Sequence, residues 1–187
     1  WMVAPYWTNG VSTLLHGDVR EVLRGLEPES VDCCVTSPPY WGLRVYKGVE
    51  PTIWDGAPGC EHEWGEEGRS GQRNRHSEAT GDMAWDGRVP TTLHPSAGAF
   101  CLRCPAWLGA LGLEPTPGLY VQHLVEVFRE VWRVLKPTGV CFLNLGDSYA
   151  GSGSPGGDVY LRPYNREGHG LKPKDLVMIP ARVALAL

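Results

Sequence analysis

The sequence predicts an α/β fold built on a parallel sheet, on the strength of three observations. Val31-Asp-Cys-Cys-Val-Thr36 is a β-branched, largely apolar run of strand length, stopped by Pro38-Pro39, which cannot continue a central strand. Val140-Cys-Phe-Leu-Asn-Leu145 is a second run of the same kind. Apolar residues at helical spacing precede each of them.

Taken in order, Val11-Ser-Thr-Leu-Leu15 is expected to be a short strand and His16-Gly17-Asp18 a turn. Asp18 can cap a helix carrying Val22, Leu23 and Leu26, which Pro28 ends. With the 31–36 strand these make an expected βαβ unit, whose crossover should be right-handed. From Tyr120 onward, Val121, Leu124, Val125, Phe128, Val131, Trp132 and Leu135 form the expected apolar face of a long helix. Lys136-Pro-Thr-Gly139 should end it and turn the chain into the second strand, closed by Gly146-Asp147-Ser148-Tyr149. A Gly/Ser-rich loop, Gly151–Gly157, reads as a substrate-side loop. A last helix of Leu176, Ile179, Val183 and Leu187 should follow Lys172-Pro-Lys-Asp175. It runs to Leu187 with no capping signal, so the chain is expected to be a fragment of a longer protein.

Residues 50–118 differ from both flanks. They are rich in Gly, Pro, Trp and charge without a sustained period, and so long a structureless loop is unusual inside a domain. The expected organisation is therefore 1–49 and 119–187 as two parts of one core, with 50–118 inserted and held by something other than a core. Five arginines against ten acidic residues leave the insertion at −5, which excludes a general phosphate clamp.

Composition narrows the class. The 187 residues are 42% hydrophobic and 20% charged, as in a globular domain, and a net charge of −4 excludes a uniformly basic nucleic-acid coat. No apolar run approaches the ~20 residues of a membrane span, and Trp1–Trp7 lacks the basic start and apolar stretch of a secretory signal. Cys33, Cys34 and Cys141 read as buried thiols and the other cysteines as a metal site, which suits a reducing cytoplasm.

Ser37-Pro38-Pro39-Tyr40-Trp41 carries the chemistry. It follows a buried strand directly, and ligands in parallel sheets bind beyond the carboxyl ends of strands. Two prolines stiffen the turn and leave carbonyls with no neighbouring amide, while Ser37 adds an acceptor and Tyr40 with Trp41 a flat surface. Such a turn suits a planar ring bearing an exocyclic amine. A structural proline turn with two core aromatics would read the same, and a proline-rich ligand segment would not follow a buried strand.

Ser37-Pro38-Pro39-Tyr40 resembles the S/D-P-P-Y/F/W motif of the amino-methyltransferases that modify cytosine-N4 or adenine-N6 in DNA. Leu15-His-Gly-Asp18 with Val22-Leu23, and Ser30-Val31-Asp32, are similar to the family's lead-in. Phe128–Gly139, Leu143-Asn-Leu-Gly-Asp-Ser-Tyr149 and Lys174-Asp-Leu-Val-Met-Ile-Pro180 resemble the segments that follow. The order is that of the β-type, so the resemblance implies part of a Rossmann-like methyltransferase fold that uses S-adenosylmethionine. The family's Asp-Pro-Phe-x-Gly-x-Gly cofactor motif has no counterpart here, and is expected beyond Leu187.

The resemblance further implies that Ser37 and the Pro38 carbonyl accept the target amine's N–H bonds, with Pro39 and Tyr40 completing the catalytic turn and Tyr40 stacking on a flipped base. Ser37 and Asp18 would face the cofactor, Asp18 being equally a helix cap; Trp41, Asp147 and Tyr149 would line the substrate pocket, a turn cap being the second reading of Asp147. The implied partner is double-stranded DNA, in a bacterial cell or a phage-infected host and within a restriction-modification system. Cytosine-N4 is the preferred target and adenine-N6 the alternative. Rival readings are a non-catalytic DNA-binding zinc module that retains the fold and, more distantly, an RNA or protein amide methyltransferase.

Cys60-x-His62 and Cys101-x-x-Cys104 supply two close pairs of soft ligands, the set a tetrahedral structural zinc takes. A metal would explain how a coreless insertion stays folded, with Trp54, Trp64, Trp85 and Trp107 covering it. Cys60 and His62 as ordinary loop residues are the other reading, with His76 and His94 as spare ligands.

Overall fold

The computed structural model describes residues 4–42, 48–65, 99–150, 171 and 174–187. Trp85, His76, His94, four of the insertion's arginines and the Gly151–Gly157 loop lie outside the described residues. The elements run β1 (Trp7–Thr8), β2 (Thr13–Leu14), α1 (Val19–Arg24), β3 (Val31–Thr36), β4 (Thr52–Trp54), β5 (Ala99–Phe100), β6 (Trp107–Gly109), α2 (Pro117–Val134), β7 (Leu135–Leu143) and α3 (Ile179–Ala186). Among the described residues no helix is long and apolar enough to cross a membrane.

The parallel pair is β3 with β7, in the register Cys33↔Val140, Cys34↔Cys141, Val35↔Phe142 and Thr36↔Leu143. The expected βαβ unit over residues 11–36 is corrected by this pairing. The strand near Val11–Leu15 shortens to Thr13–Leu14 and folds back antiparallel on Trp7–Thr8, so β3 takes its neighbour from across the chain. Lys136-Pro-Thr-Gly139 does turn the chain, but as a bulge inside β7: Leu135 already pairs with Val31, and regular register resumes only at Val140.

Helix α2 organises the core. Thr116 caps it by accepting from the Leu119 N–H at 3.1 Å, and Pro117 occupies the first turn, where a missing N–H costs nothing. Its buried stripe is Tyr120, His123, Leu124, Val127, Phe128, Val131 and Val134. Trp132, expected in that stripe, is 82% exposed. It lies ~100° round the helix from Val131, and the stripe turns instead toward Val127 and His123, which an apolar count overlooks. Tyr120, Leu124, Phe128 and Val131 join Trp41 with Val177, Ile179 and Val183 of the α3 segment in the main core. Leu176 and Leu187, expected in that last apolar face, are exposed, and Val177 replaces them.

Both helices lie on the Cys34 and Leu143 side of the strand pair. The other side presents Val35, Phe142 and Val140 to solvent, so the expected fully buried strands are covered on one face only. Cys33, on that open side, and Cys141, on the helix side, are both expected buried and found exposed, and all six cysteines are unpaired thiols. Helix α1 is fastened by Arg133, whose guanidinium donates to the Leu23 and Leu26 carbonyls at 2.6 and 3.0 Å, a cation at a helix C-terminus.

The 50–118 stretch has more core than expected. β4, β6 and β5 form an antiparallel sheet in that order, and Trp54 and Trp107 pack with Val127 of α2. These two tryptophans thus weld the stretch to the helix; among its described tryptophans Trp64 stands at the cysteine cluster, its ring centroid 5.0 Å from that of His62.

Leu124→Ala should therefore cost ~2–5 kcal/mol of stability, whereas Trp132→Ala should stay within ~0.5 kcal/mol of the parent. Urea unfolding of the two variants measures both, and equal losses would mean that α2 is rotated from the stripe described.

Candidate active site and metal centre

β3 stops at Thr36 because Pro38 and Pro39 cannot donate to a ladder. β7 runs alongside, and the Asn144 N–H donates to the Thr36 carbonyl at 3.0 Å just past the last paired residues. That register sets Asn144 opposite the Ser-Pro-Pro-Tyr turn. Its side-chain amide donates to Tyr40 Oη at 2.9 Å and to Ser37 Oγ at 3.3 Å, fixing both hydroxyls. Ser37 is exposed and Tyr40 half-buried. Gly146 lies against the tyrosine ring: a Cβ there would stand 2.6 Å from Tyr40 Cδ2.

The turn is also held from behind. Tyr120 Oη donates to the Pro39 carbonyl at 2.8 Å, and burial pushes its phenol up from the usual value, so the proton stays where it is needed. Gly112, at φ +91°, approaches Pro39 so closely that a Cβ would come within 3.0 Å of the proline's own Cβ. Its carbonyl accepts from the Gly42 N–H at 2.8 Å. Trp41, expected as a stacking surface, is instead 2% exposed, its indole N–H donating to the Glu114 carbonyl at 2.9 Å. Apolar area that large gains more from the core than from the surface, which leaves Tyr40 as the aromatic of the turn nearer solvent.

Asp18 is a helix cap. Its carboxylate accepts from the Arg20 backbone N–H at 2.8 Å and grips the Arg20 guanidinium with both oxygens, at 3.0 and 2.8 Å. The Arg20 side chain holds the carboxyl below its ordinary range despite partial burial. Arg20 in turn lies 3.9 Å over the Trp54 ring, joining α1 to β4. Asp147 caps as well, accepting from Ser148 N–H at 2.8 Å and from Ile179 N–H at 3.1 Å at the start of α3. Tyr149 bridges to Leu176 and is 55% exposed.

The four expected metal ligands do converge. The ligand atoms of Cys60, His62, Cys101 and Cys104 all lie within 4.8 Å of one another. Two contacts across the chain achieve this: Gly65 N–H donates to Phe100 O at 3.0 Å and Leu102 N–H to Glu63 O at 2.8 Å. An Arg103–Glu63 ion pair at 2.9 Å closes the same join. Cys101-x-x-Cys104 forms the β5–β6 turn, where the Arg103 N–H donates to Cys101 Sγ at 3.3 Å. Burial raises the Cys101 thiol, but that amide and the neighbouring donors outweigh it and bring it down to about 6. Burial and the two neighbouring thiols push Cys60 up to about 11. Three thiols and an imidazole in one cluster, one sulfur already favoured as thiolate, fit tetrahedral zinc.

Sequence reasoning missed Asn144, Gly146 and Tyr120. The first two lie in a segment whose resemblance was legible, but only the β3–β7 register shows that they touch Ser37 and Tyr40.

The structure thus brings a stiff proline turn to the end of a parallel strand, with a serine and a tyrosine hydroxyl anchored by one amide. Comparison with known proteins names the class. The chain is 32% identical over 183 residues to the type II methyltransferase M.SmaI of Serratia marcescens, covering 93% of this chain and 42% of that protein. It is 32% identical over 185 residues to M.XycI of Xanthomonas campestris pv. cyanopsidis (94% and 41%), and 31% over 192 residues to M.Cfr9I of Citrobacter freundii (98% and 43%). The chain is thus a homologue of type II methyltransferases and spans about two fifths of the length of these relatives. No family model and no solved structure matches it.

Gly146→Ala should force the Tyr40 ring aside at a cost of ~1–3 kcal/mol, the usual penalty of overpacking. Adding Tyr40→Ala should recover most of the loss, a coupling that a double-mutant cycle by chemical denaturation reads directly. Additive losses would place the tyrosine elsewhere.

Proposed function

We propose that this chain carries the catalytic turn of a type II DNA methyltransferase, which moves a methyl group from S-adenosylmethionine to the exocyclic amine of a base flipped out of double-stranded DNA. The reading rests above all on Ser37-Pro38-Pro39-Tyr40 at the carboxyl end of β3, with Asn144 holding Ser37 and Tyr40 together. An exocyclic amine is a poor nucleophile because its lone pair is delocalised into the ring. Ser37 Oγ, already accepting from Asn144, keeps a second lone pair for one amine N–H. The Pro38 carbonyl takes the other, while Tyr120 occupies the Pro39 carbonyl. Two acceptors draw the nitrogen toward tetrahedral geometry and free its lone pair, which is positioning and electrostatics. Tyr40 stacks on the base, backed by Gly146.

When bound, the cofactor supplies an electrophilic methyl group. The residues present fit only part of its site: Ser37 stands exposed at the strand end, Asp18 is committed to Arg20 and the α1 cap, and no Gly-rich cofactor motif occurs in the chain. The whole enzyme's turnover is part of this proposal, since the chain spans about two fifths of its relatives' length. Cytosine-N4 is the favoured target, because in the family that the turn resembles Ser-Pro-Pro-Tyr goes more with cytosine-N4 than with adenine-N6; adenine-N6, whose amine offers the same two N–H donors, is the alternative.

In the full-length protein, Tyr40→Ala should lower methylation by about five- to 150-fold, given the ~1–3 kcal/mol that base–aromatic stacking contributes. Unchanged methylation of cognate DNA would end the assignment. Mass spectrometry of the digested product DNA should find N4-methylcytosine, and N6-methyladenine alone would move the target to adenine.

We also propose that Cys60, His62, Cys101 and Cys104 hold a structural zinc. Elemental analysis of the purified chain should give about one zinc per molecule, as one tetrahedral site requires. The Cys101→Ser, Cys104→Ser double variant should lose it and melt earlier; a metal-free parent of equal stability would refute the site.

A further inference from the structure

A second polar cluster lies behind the turn, and neither the methyl-transfer chemistry nor the zinc accounts for it. His123 and Glu114 are both 0% exposed. Glu114 Oε1 lies 2.9 Å from His123 Nδ1, and Asp55 Oδ2 lies 3.0 Å from His123 Nε2. The imidazole is sandwiched between Trp54 and Trp107, its centroid 4.5 and 5.4 Å from theirs. Asp55 reaches it from just past β4 with a left-handed backbone, φ +56°. Each imidazole nitrogen faces a carboxylate oxygen, and neutral imidazole has only one N–H. The three groups must therefore share two protons. Burial raises the Glu114 carboxyl above its ordinary value, which favours its holding one of them.

Such a cluster is costly to desolvate, and a tryptophan-lined core would be more stable without it unless it held something in place. What it holds is the turn. Glu114 Oε2 accepts from the Gly112 N–H at 2.9 Å, the Glu114 carbonyl accepts from Trp41, and Gly112 both accepts from Gly42 and lies against Pro39. Tyr120, one helical turn before His123 on the same face of α2, grips Pro39 itself.

We infer that Glu114 and His123 are positioning residues for the Ser37–Tyr40 turn, with Asp55 anchoring them to the sheet that carries the zinc ligands. The histidine sets Glu114, Glu114 sets the 110–114 turn, and that turn seats Pro39, Tyr40 and Trp41. As a statement about turnover this rests on the methyltransferase reading; as a statement about the turn it does not.

Hydrogen–deuterium exchange on the 187-residue chain tests it. His123→Ala should speed exchange of the Gly42 and Gly112 amides about tenfold, the factor expected for losing one buried hydrogen bond, and leave β3 and β7 unchanged. His123→Asn places an amide where Nδ1 stood and should restore protection to within about twofold, whereas His123→Gln mimics Nε2, serves only Asp55 and should not. This Asn-against-Gln contrast decides the matter even if the alanine variant fails to fold. Equal protection in the two would overturn the proposal. In the full-length enzyme, His123→Gln should lower kcat about tenfold with KM for DNA unchanged, and His123→Asn should recover it. A wild-type enzyme that methylates nothing would remove the functional reading and leave the exchange result to judge the positioning.

Discussion

Parallel strands cannot be joined by a tight turn, and most of this molecule follows from that constraint. β3 and β7 pair side by side, so the chain must leave the carboxyl end of β3 and return to the amino end of β7. Everything from Ser37 to Val134 lies in that crossover: the proline turn, the antiparallel β4–β6–β5 sheet with its cysteine cluster, and α2. The two strands then end together, which sets Asn144 beside Ser37 and Tyr40. The Ser-Pro-Pro-Tyr turn and its anchor are thus brought together by strand register, with no need for proximity in sequence.

Helix α2 bears the consequences of serving both sides of that crossover. Its Tyr120, Leu124, Phe128 and Val131 fill the core against α3, while Val127 and His123 face the tryptophans of β4 and β6. One helix face thereby joins the strand pair to the crossover sheet. The arrangement is not purely apolar, because Glu114, His123 and Asp55 occupy the junction. An apolar junction could slide; three groups that must each find a partner fix one geometry. The Cys60, His62, Cys101 and Cys104 cluster is held by a different device, backbone hydrogen bonds between 63–65 and 100–102, so the sheet itself brings these four side chains together.

Local signals made several elements legible. β3 was readable to the residue, because β-branched residues run up to a proline that must end them. The span of α2 was nearly as clear, although its start at Pro117 and its Thr116 cap were not read. The expected zinc ligands needed only the spacing of Cys60, His62, Cys101 and Cys104, since soft donors in close pairs have few other uses. Trp41 and Trp132 were exchanged in the reading, one expected at the surface of the site and found in the core, the other expected in the core and found in water. Both are large, apolar and next to buried neighbours, so sequence spacing alone cannot say which one a core has room for. The 11–36 βαβ unit was misread because a strand, a helix and a strand in order do not reveal which strands hydrogen-bond; β2 found its partner in β1 and β3 in β7.

The sequence by itself determined the groups available: a Ser-Pro-Pro-Tyr turn at a strand end and three thiols with an imidazole, both encoded in short spacings. Only the tertiary structure decided how that chemistry is held. Asn144 meets Tyr40, Tyr120 meets Pro39 and His123 bridges Glu114 to Asp55 across separations of 104, 81, 9 and 68 residues. Such contacts exist only once β3 and β7 are in register and α2 has chosen its buried face, and both choices are made by packing the whole core at once.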